Sequence, residues 1–215
     1  MVRRPSRPRA EGGTWKECVS VTQSLGQSSH LEGKRHNLTV ALHRLGEPCI
    51  EPGRLFSFWA LVGNPSHRHG FMPGRNVVGG HLQASDGGGL CQLSGLIYLL
   101  ALRAGLRIVE RFPHSVDLYT EATRYTPLGA DATVVYGYKD LRFLNPHSFP
   151  VALGFSLSES SLTGWVRAPV ALEPCALEFT LQEEGDFRCV RTWRYPPGAS
   201  APENLGESRY RLAPA

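Results

Sequence analysis

Between Leu90 and Ala104 the apolar residues Leu90, Leu93, Leu96, Ile97, Leu100 and Ala104 recur at spacings of three and four, the period of one helix face, and Gly105 follows as a stop. A shorter run with the same period, Leu38, Ala41, Leu42 and Leu45, predicts a helix from Asn37 to Leu45, after which Pro48 to Gly53 turn the chain. Elsewhere the period falls to two. Leu55 to Trp59 alternates as a short strand or aromatic anchor, and Leu106 to Arg111 reads as a strand. Ala132 to Tyr136 and Asp140 to Leu144 flank Gly137-Tyr-Lys and predict a β-hairpin. Strand-like runs continue at Val151 to Leu157, Leu162 to Val166, Leu177 to Leu181 and Phe187 to Trp193. Together these elements predict an α+β fold: one central helix packed on an antiparallel sheet, with additional strands at the C-terminal end.

The segments without a period set the expected domain limits. Residues 1–33 are polar, with clusters of Ser and Gln, and read as a flexible N-terminal arm. Val62 to Gly80 is a long loop rich in Gly, Pro, His and Asn, and the Pro-rich residues 196–215 read as a flexible tail. A single domain over 34–195 remains, with its core at 37–157 and a β extension at 158–195. A chain of 215 residues that is 41% hydrophobic and 20% charged fits one such domain.

Charge and cysteine usage narrow the function classes. The net charge of +4 is carried by arginines spread along the chain, with no basic stripe interleaved with aromatics, so no nucleic-acid partner is expected. Arg3, Arg4, Arg7 and Arg9 lie in a Pro-rich start with no apolar run behind them. That pattern predicts neither a secretory leader nor an integral membrane segment, and a cytoplasmic location is expected. Cys18, Cys49, Cys91, Cys175 and Cys189 are odd in number and widely spaced, which predicts free thiols, although Cys175 and Cys189 fall on neighbouring predicted strands. His67 and His69 form a His-Arg-His loop with no acidic or cysteine partner nearby, so no metal and no cofactor are expected; a site joining Cys91, His114 and His81 is a weaker alternative. Oligomeric state is not encoded in any of these features.

The chemistry concentrates where Gly87, Gly88 and Gly89 deliver Cys91 to the start of the long helix. A helix N-terminus carries unpaired N–H groups and partial positive charge, which favour a thiolate, and the glycines leave room for a substrate carbonyl. Cys91 is therefore a candidate nucleophile, with Gly87, Gly88, Gly89, Gln92 and Ser94 as candidate substrate-binding residues. A thiol nucleophile needs a base, and His114, at the end of the strand after the helix, is the best placed. Asp131 or Asp140, flanking the first strand of the predicted hairpin, would orient it, with Asp117 a lesser option. Glu110 and Arg111 would form an ion pair stiffening the strand before His114. Each of these residues also has an ordinary structural fate: a buried small cysteine, a satisfied histidine, a carboxylate capping a turn.

The order cysteine on a helix N-terminus, histidine on a strand, carboxylate on the next is the arrangement of papain-like and transglutaminase-like thiol enzymes, and Gly89 to Leu106 is similar to the transglutaminase core helix. Four separated motifs give a more extensive likeness. Arg54-Leu-Phe-Ser-Phe-Trp-Ala-Leu-Val-Gly63, Gly87-Gly-Gly-Leu-Cys-Gln-Leu-Ser94, Glu110-Arg-Phe-Pro-His-Ser115, and the segment from Asp131-Ala-Thr-Val to Lys139-Asp-Leu-Arg-Phe143 occur in this order. From about Asn37 to Leu157 the chain resembles the VanW family. The resemblance implies a bacterial protein tied to cell-envelope biology and to glycopeptide resistance. It places the family signature on Gly87, Gly88, Gly89, Cys91, Gln92, Ser94, His114 and Asp140, with Asp131 the more replaceable carboxylate. Two functions follow as expectations. One is a cysteine-dependent enzyme that hydrolyses or transfers amide bonds of a peptide or peptidoglycan precursor. The other is a noncatalytic module binding a peptide or wall fragment.

Overall fold

The computed structural model describes residues 14–26, 30–78, 81–117 and 124–212. In chain order the elements are β1 (Lys16–Ser24), α1 (Leu31–Leu45), β2 (Cys49–Ile50), β3 (Leu55–Ser57), α2 (Phe58–Val62), a 3-10 turn (His67–His69), β4 (Pro73–Val78), β5 (His81–Asp86), α3 (Leu90–Arg103), β6 (Arg107–Glu110) and β7 (Val116–Asp117). They continue with β8 (Arg142–Leu144), β9 (Val151–Leu157), β10 (Ser161–Ala168), β11 (Ala176–Glu184), β12 (Phe187–Tyr195) and β13 (Glu203–Leu212). The fold is mixed α+β, with strands outweighing helices.

Three sheets and a hairpin organise the chain. The first sheet runs β1-β10-β9-β2 and is antiparallel throughout. The second runs β11-β12-β13-β7, its last pair parallel, and the third runs β3-β8-β6; β4 and β5 pair with each other. α3 packs on β1 and β10 of the first sheet. Gly164 of β10 allows the close approach, because a Cβ there would lie 2.8 Å from Leu100 Cδ1 and 3.0 Å from Leu96 Cδ2. Leu93, Leu96, Ile97 and Leu100 are fully buried, and Ala101 and Leu102 on the far side are buried too. α3 is thus enclosed on most faces, which is why its sequence stays apolar beyond a single stripe.

Several sequence expectations are corrected by long-range pairing. Residues 16–24, expected within a flexible arm, form β1 along the edge of the first sheet, with Val19 and Gln23 turned to the interior. Helix α1 starts at Leu31, six residues before the apolar period becomes regular, and it includes Gly33, a poor helix former. Gly33 is tolerated because a Cβ there would strike the Pro73 carbonyl oxygen at 2.4 Å; β4 crosses the helix at that point. The predicted hairpin over 132–144 does not form. Val135 and Lys139 make an isolated bridge, while β8 pairs with β3 on one side and β6 on the other. Residues 203–212, expected within a flexible tail, form β13, paired along its length with β12. Cys175 and Cys189 are free thiols at opposite ends of the β11–β12 hairpin, since Ala176 pairs with Tyr195 and Gln182 with Cys189. Among the described residues, no helix is long and apolar enough to cross a membrane.

Candidate functional site

The glycine run before α3 is a tight junction. Gly87 and Gly89 adopt φ of +83° and +100°, conformations in which any other residue is strained. A Cβ at Gly87 would lie 2.9 Å from Pro65 Cβ, and one at Gly89 would lie 2.8 Å from Lys34 Cγ. Asn37, fully buried in α1, clamps the loop: its amide donates to the Met72 and Gly88 carbonyls at 2.9 and 3.0 Å, and its Oδ1 accepts from Met72 N at 2.8 Å. No side chain caps α3, whose N-cap is Gly89. Backbone carbonyls take up part of the first turn instead: Leu90 N donates to the Gly87 carbonyl at 3.2 Å and Gln92 N to the Gly89 carbonyl at 3.0 Å.

Cys91 is the second residue of α3 and is partly buried, with its Sγ 3.8 Å from the Val134 carbonyl oxygen. His114 lies on the chain between β6 and β7, with the Cys91 side chain near enough to favour its protonated form. Asp131 sits on an extended segment running beside α3, tied to the segment that carries His114 by the bond from Thr133 N to the Phe112 carbonyl at 2.7 Å. One Asp131 oxygen, Oδ2, accepts from the His114 backbone N at 2.7 Å and from ring Nδ1 at 2.6 Å. With Nδ1 held by the carboxylate, Nε2 is the ring nitrogen left to meet the sulfur.

The second Asp131 oxygen is held just as fully. Oδ1 accepts from Arg111 Nη2 at 2.9 Å and from the Tyr210 hydroxyl at 2.5 Å. Arg111 is itself held on several sides: it donates to the Asp131 and Gly129 carbonyls at 2.7 and 2.9 Å and to Ser208 Oγ, and its guanidinium lies 4.9 Å above the Tyr98 ring. These partners fix the charges. Burial opposes ionisation of Asp131, but the hydrogen bond from His114 and the Arg111 guanidinium outweigh it and hold the carboxyl well below the usual carboxylate range. Burial likewise opposes protonation of His114, yet the bond to Asp131 and the nearby Cys91 sulfur push the imidazole up to about 10. Burial, followed by the Asp131 charge, raises the Tyr210 hydroxyl, so that it stays a neutral donor. A cavity of about 30 Å³ touches His114, Asp131 and Tyr210, enough for one or two water molecules and too small for a peptide segment.

The sequence-predicted residues divide into those that meet and those that do not. Cys91, His114 and Asp131 converge. Asp140 does not reach His114: its carboxylate accepts from Ser57 Oγ at 2.6 Å, Leu141 N at 2.8 Å and Trp59 N at 3.1 Å, closing the start of α2. Asp117 is buried under Arg124 and Arg188. Gln92 and Ser94, expected to touch substrate, point inward. Gln92 donates to the Ser24 carbonyl of β1 at 2.8 Å, and Ser94 Oγ donates to the Ala132 and Cys91 carbonyls, so both brace the helix. Glu110 pairs with Arg142 at 3.3 Å, not with Arg111, whose carboxylate partner is Asp131. Among the described residues no group of three or more His, Cys, Asp or Glu is placed to hold a metal, and the His81 side chain lies outside the described residues. Sequence reasoning missed Arg111 as an anchor of Asp131, and it missed Ser208 and Tyr210 altogether. Their signal was present: Ser208 and Tyr210 alternate with Glu207, Arg209 and Arg211 in a strand pattern.

Comparison with known proteins places the same segment in a family. The family model described as VanW like protein matches residues 33–167, which hold Cys91, His114, Asp131 and Asp140. The chain is 34% identical over 137 residues to the uncharacterized protein YoaR of Bacillus subtilis, covering 61% of this chain and 44% of that protein. It is 33% identical over 153 residues to the vancomycin B-type resistance protein VanW of Enterococcus faecalis, covering 71% of this chain and 56% of that protein. The chain thus spans about half the length of these relatives. No solved structure matches it. With its cysteine helix, His114 and both aspartates inside one matched segment of 33–167, the chain belongs to the VanW-like family.

Proposed function

We propose that this chain is a thiol enzyme of the acyl-transfer class, with Cys91 as nucleophile, His114 as general base and acid, and Asp131 as the orienting carboxylate. The observation that carries the reading is the bond from His114 Nδ1 to Asp131 at 2.6 Å on a ring that lies near Cys91, at a helix N-terminus without a side-chain cap. In this reaction the Cys91 Sγ proton already resides on His114 Nε2 before attack, in keeping with an imidazole raised to about 10, and the sulfur enters as thiolate. The sulfur then forms a bond to the amide carbonyl carbon, whose oxygen takes up negative charge facing the Cys91 backbone N–H at the start of α3. Collapse breaks the C–N bond, and His114 returns its proton to the leaving amine. Water or a second amine, deprotonated by His114, then releases the acyl group from sulfur. Asp131 remains ionised throughout and stabilises the imidazolium.

Amide bonds of a cell-envelope peptide or peptidoglycan precursor are the proposed substrates. This assignment draws on family membership and on a relative whose name carries vancomycin resistance. The test is the pH dependence of Cys91 alkylation by iodoacetamide, read by peptide mass spectrometry in the wild type and in His114→Ala, with the other four cysteines as references. Rapid labelling well below about pH 8.5, the ordinary thiol range, and its loss in His114→Ala are expected. Labelling of Cys91 no faster than the reference cysteines refutes the enzyme reading and leaves a noncatalytic peptide-binding module as the successor.

A further inference from the structure

The family match ends at residue 167, yet two of the side chains that hold Asp131 come from β13, more than forty residues further on. Tyr210 donates to Asp131 Oδ1 at 2.5 Å, and Ser208 accepts from Arg111. Both are buried, at 0% and 4% exposure, on the inward face of β13. The same strand is stitched to the chain just beyond His114: Arg211 N donates to the Ser115 carbonyl at 2.9 Å, and Arg211 and Leu212 pair in parallel with Val116 and Asp117. The neighbouring β12 adds a bond from Arg188 to Asp117 at 2.8 Å.

We infer that the C-terminal sheet is part of the reaction site, with Tyr210 and Ser208 of β13 acting as positioning residues that hold Asp131 in the orientation His114 requires, Tyr210 directly and Ser208 through Arg111. The inference rests on the proposed thiol chemistry and adds to it a second structural unit. A buried charged network is weak evidence of a stability role, because apolar residues of similar volume commonly serve a core as well or better. Here each inward polar atom of β13 has a specific destination. The Tyr210 hydroxyl joins Arg111 Nη2 on the carboxylate oxygen that His114 does not use, and together they stop the carboxylate from rotating about its own bond. The Ser208 hydroxyl takes a guanidinium N–H pointing away from Asp131, which leaves Nη2 aimed at the carboxylate. Without these contacts the carboxylate is held by Arg111 Nη2 and His114 alone, the bond to Nδ1 weakens, and His114 is less firmly oriented toward Cys91.

The test uses the full chain and three variants, Tyr210→Phe, Ser208→Ala and Asp131→Asn, each followed by the pH profile of Cys91 alkylation and by thermal unfolding. Tyr210→Phe keeps the ring that fills the core and removes the oxygen alone. We expect its alkylation midpoint to rise by about one pH unit, with labelling near pH 6 slowed about tenfold, the change that corresponds to loss of one hydrogen bond to a charged group. Ser208→Ala is expected to shift the midpoint in the same direction by less. A purely structural role would lower the unfolding temperature and leave the midpoint in place. A depressed wild-type midpoint that Tyr210→Phe leaves unchanged overturns this inference and leaves the thiol reading standing. A wild-type Cys91 that labels no faster than the reference cysteines overturns both.

Discussion

Replacing Asp131 by asparagine keeps the side chain's size, removes its charge and turns one acceptor into a donor. All four hydrogen bonds to the carboxylate come from donors: His114 N, His114 Nδ1, Arg111 Nη2 and the Tyr210 hydroxyl. Whichever way the amide is flipped, its NH2 faces two of them, and the buried Arg111 guanidinium loses its counter-charge. Breaking a buried pair by removing one partner costs about 3–5 kcal/mol. At about 2–4 °C per kcal/mol for a chain of this size, Asp131→Asn should unfold about 6–20 °C below the wild type. It should also release the His114 tautomer and bring Cys91 alkylation near pH 6 down to the rate of the reference cysteines. Asp140→Asn is the control that separates the two aspartates. Asp140 accepts from Trp59 N, Leu141 N and Ser57 Oγ at the start of a five-residue helix, so its loss should cost about 1 kcal/mol, as for a helix cap, with no change in the Cys91 profile. Differential scanning calorimetry and peptide-resolved alkylation on both variants decide the matter. Loss of fast Cys91 labelling in Asp140→Asn but not in Asp131→Asn would refute the assignment of Asp131 as the orienting group.

Two further outcomes follow from the same geometry. The folded state raises the His114 imidazole from 6.5 to about 10, so the stability it contributes is fully present below about pH 6.5 and is lost as pH rises through about 10; Asp131, held low, contributes above its ordinary value of 3.8 and loses that contribution as pH falls. In urea titrations, wild type minus His114→Gln should therefore shrink steadily between pH 6.5 and 10, and a difference that stays constant or grows over that window would contradict the ion-pair assignment. Gly87→Ala places a Cβ 2.9 Å from Pro65 Cβ at a φ of +83°, and a loss of about 1–3 kcal/mol in urea unfolding is expected; stability within error of the wild type would show that the loop before α3 relaxes freely.

How legible the site was depended on whether the residue's signal is local. The cysteine and histidine were visible because their context is carried by a few adjacent residues: three glycines and an apolar period around Cys91, and a strand end at Pro113-His114-Ser115. The choice between Asp131 and Asp140 was not visible. Both flank a run, Ala132 to Tyr136, whose composition is that of a hairpin strand, and a hairpin would have put Asp140 beside the histidine strand. In the folded chain the run instead lies extended beside α3, giving carbonyls to Ser94 and Cys91, and β8 is taken up by β3 and β6. Side-chain alternation cannot distinguish these outcomes, because it reports which face of a strand is buried and says nothing of its partner.

The same division runs through the whole molecule. By itself, the sequence determined the α+β class, the helix over Leu90–Arg103 and the thiol at its start, since each follows from local periodicity and from glycine's freedom at positive φ. Only the tertiary structure decided that Gln92 and Ser94 face inward, that Arg111 joins Asp131 while Glu110 joins Arg142, and that β1 and β13 close the sheets from chain ends whose composition resembles linker. Those outcomes rest on pairings across tens of residues, where hydrogen bonding to a distant strand and burial of a distant charge outweigh any local preference.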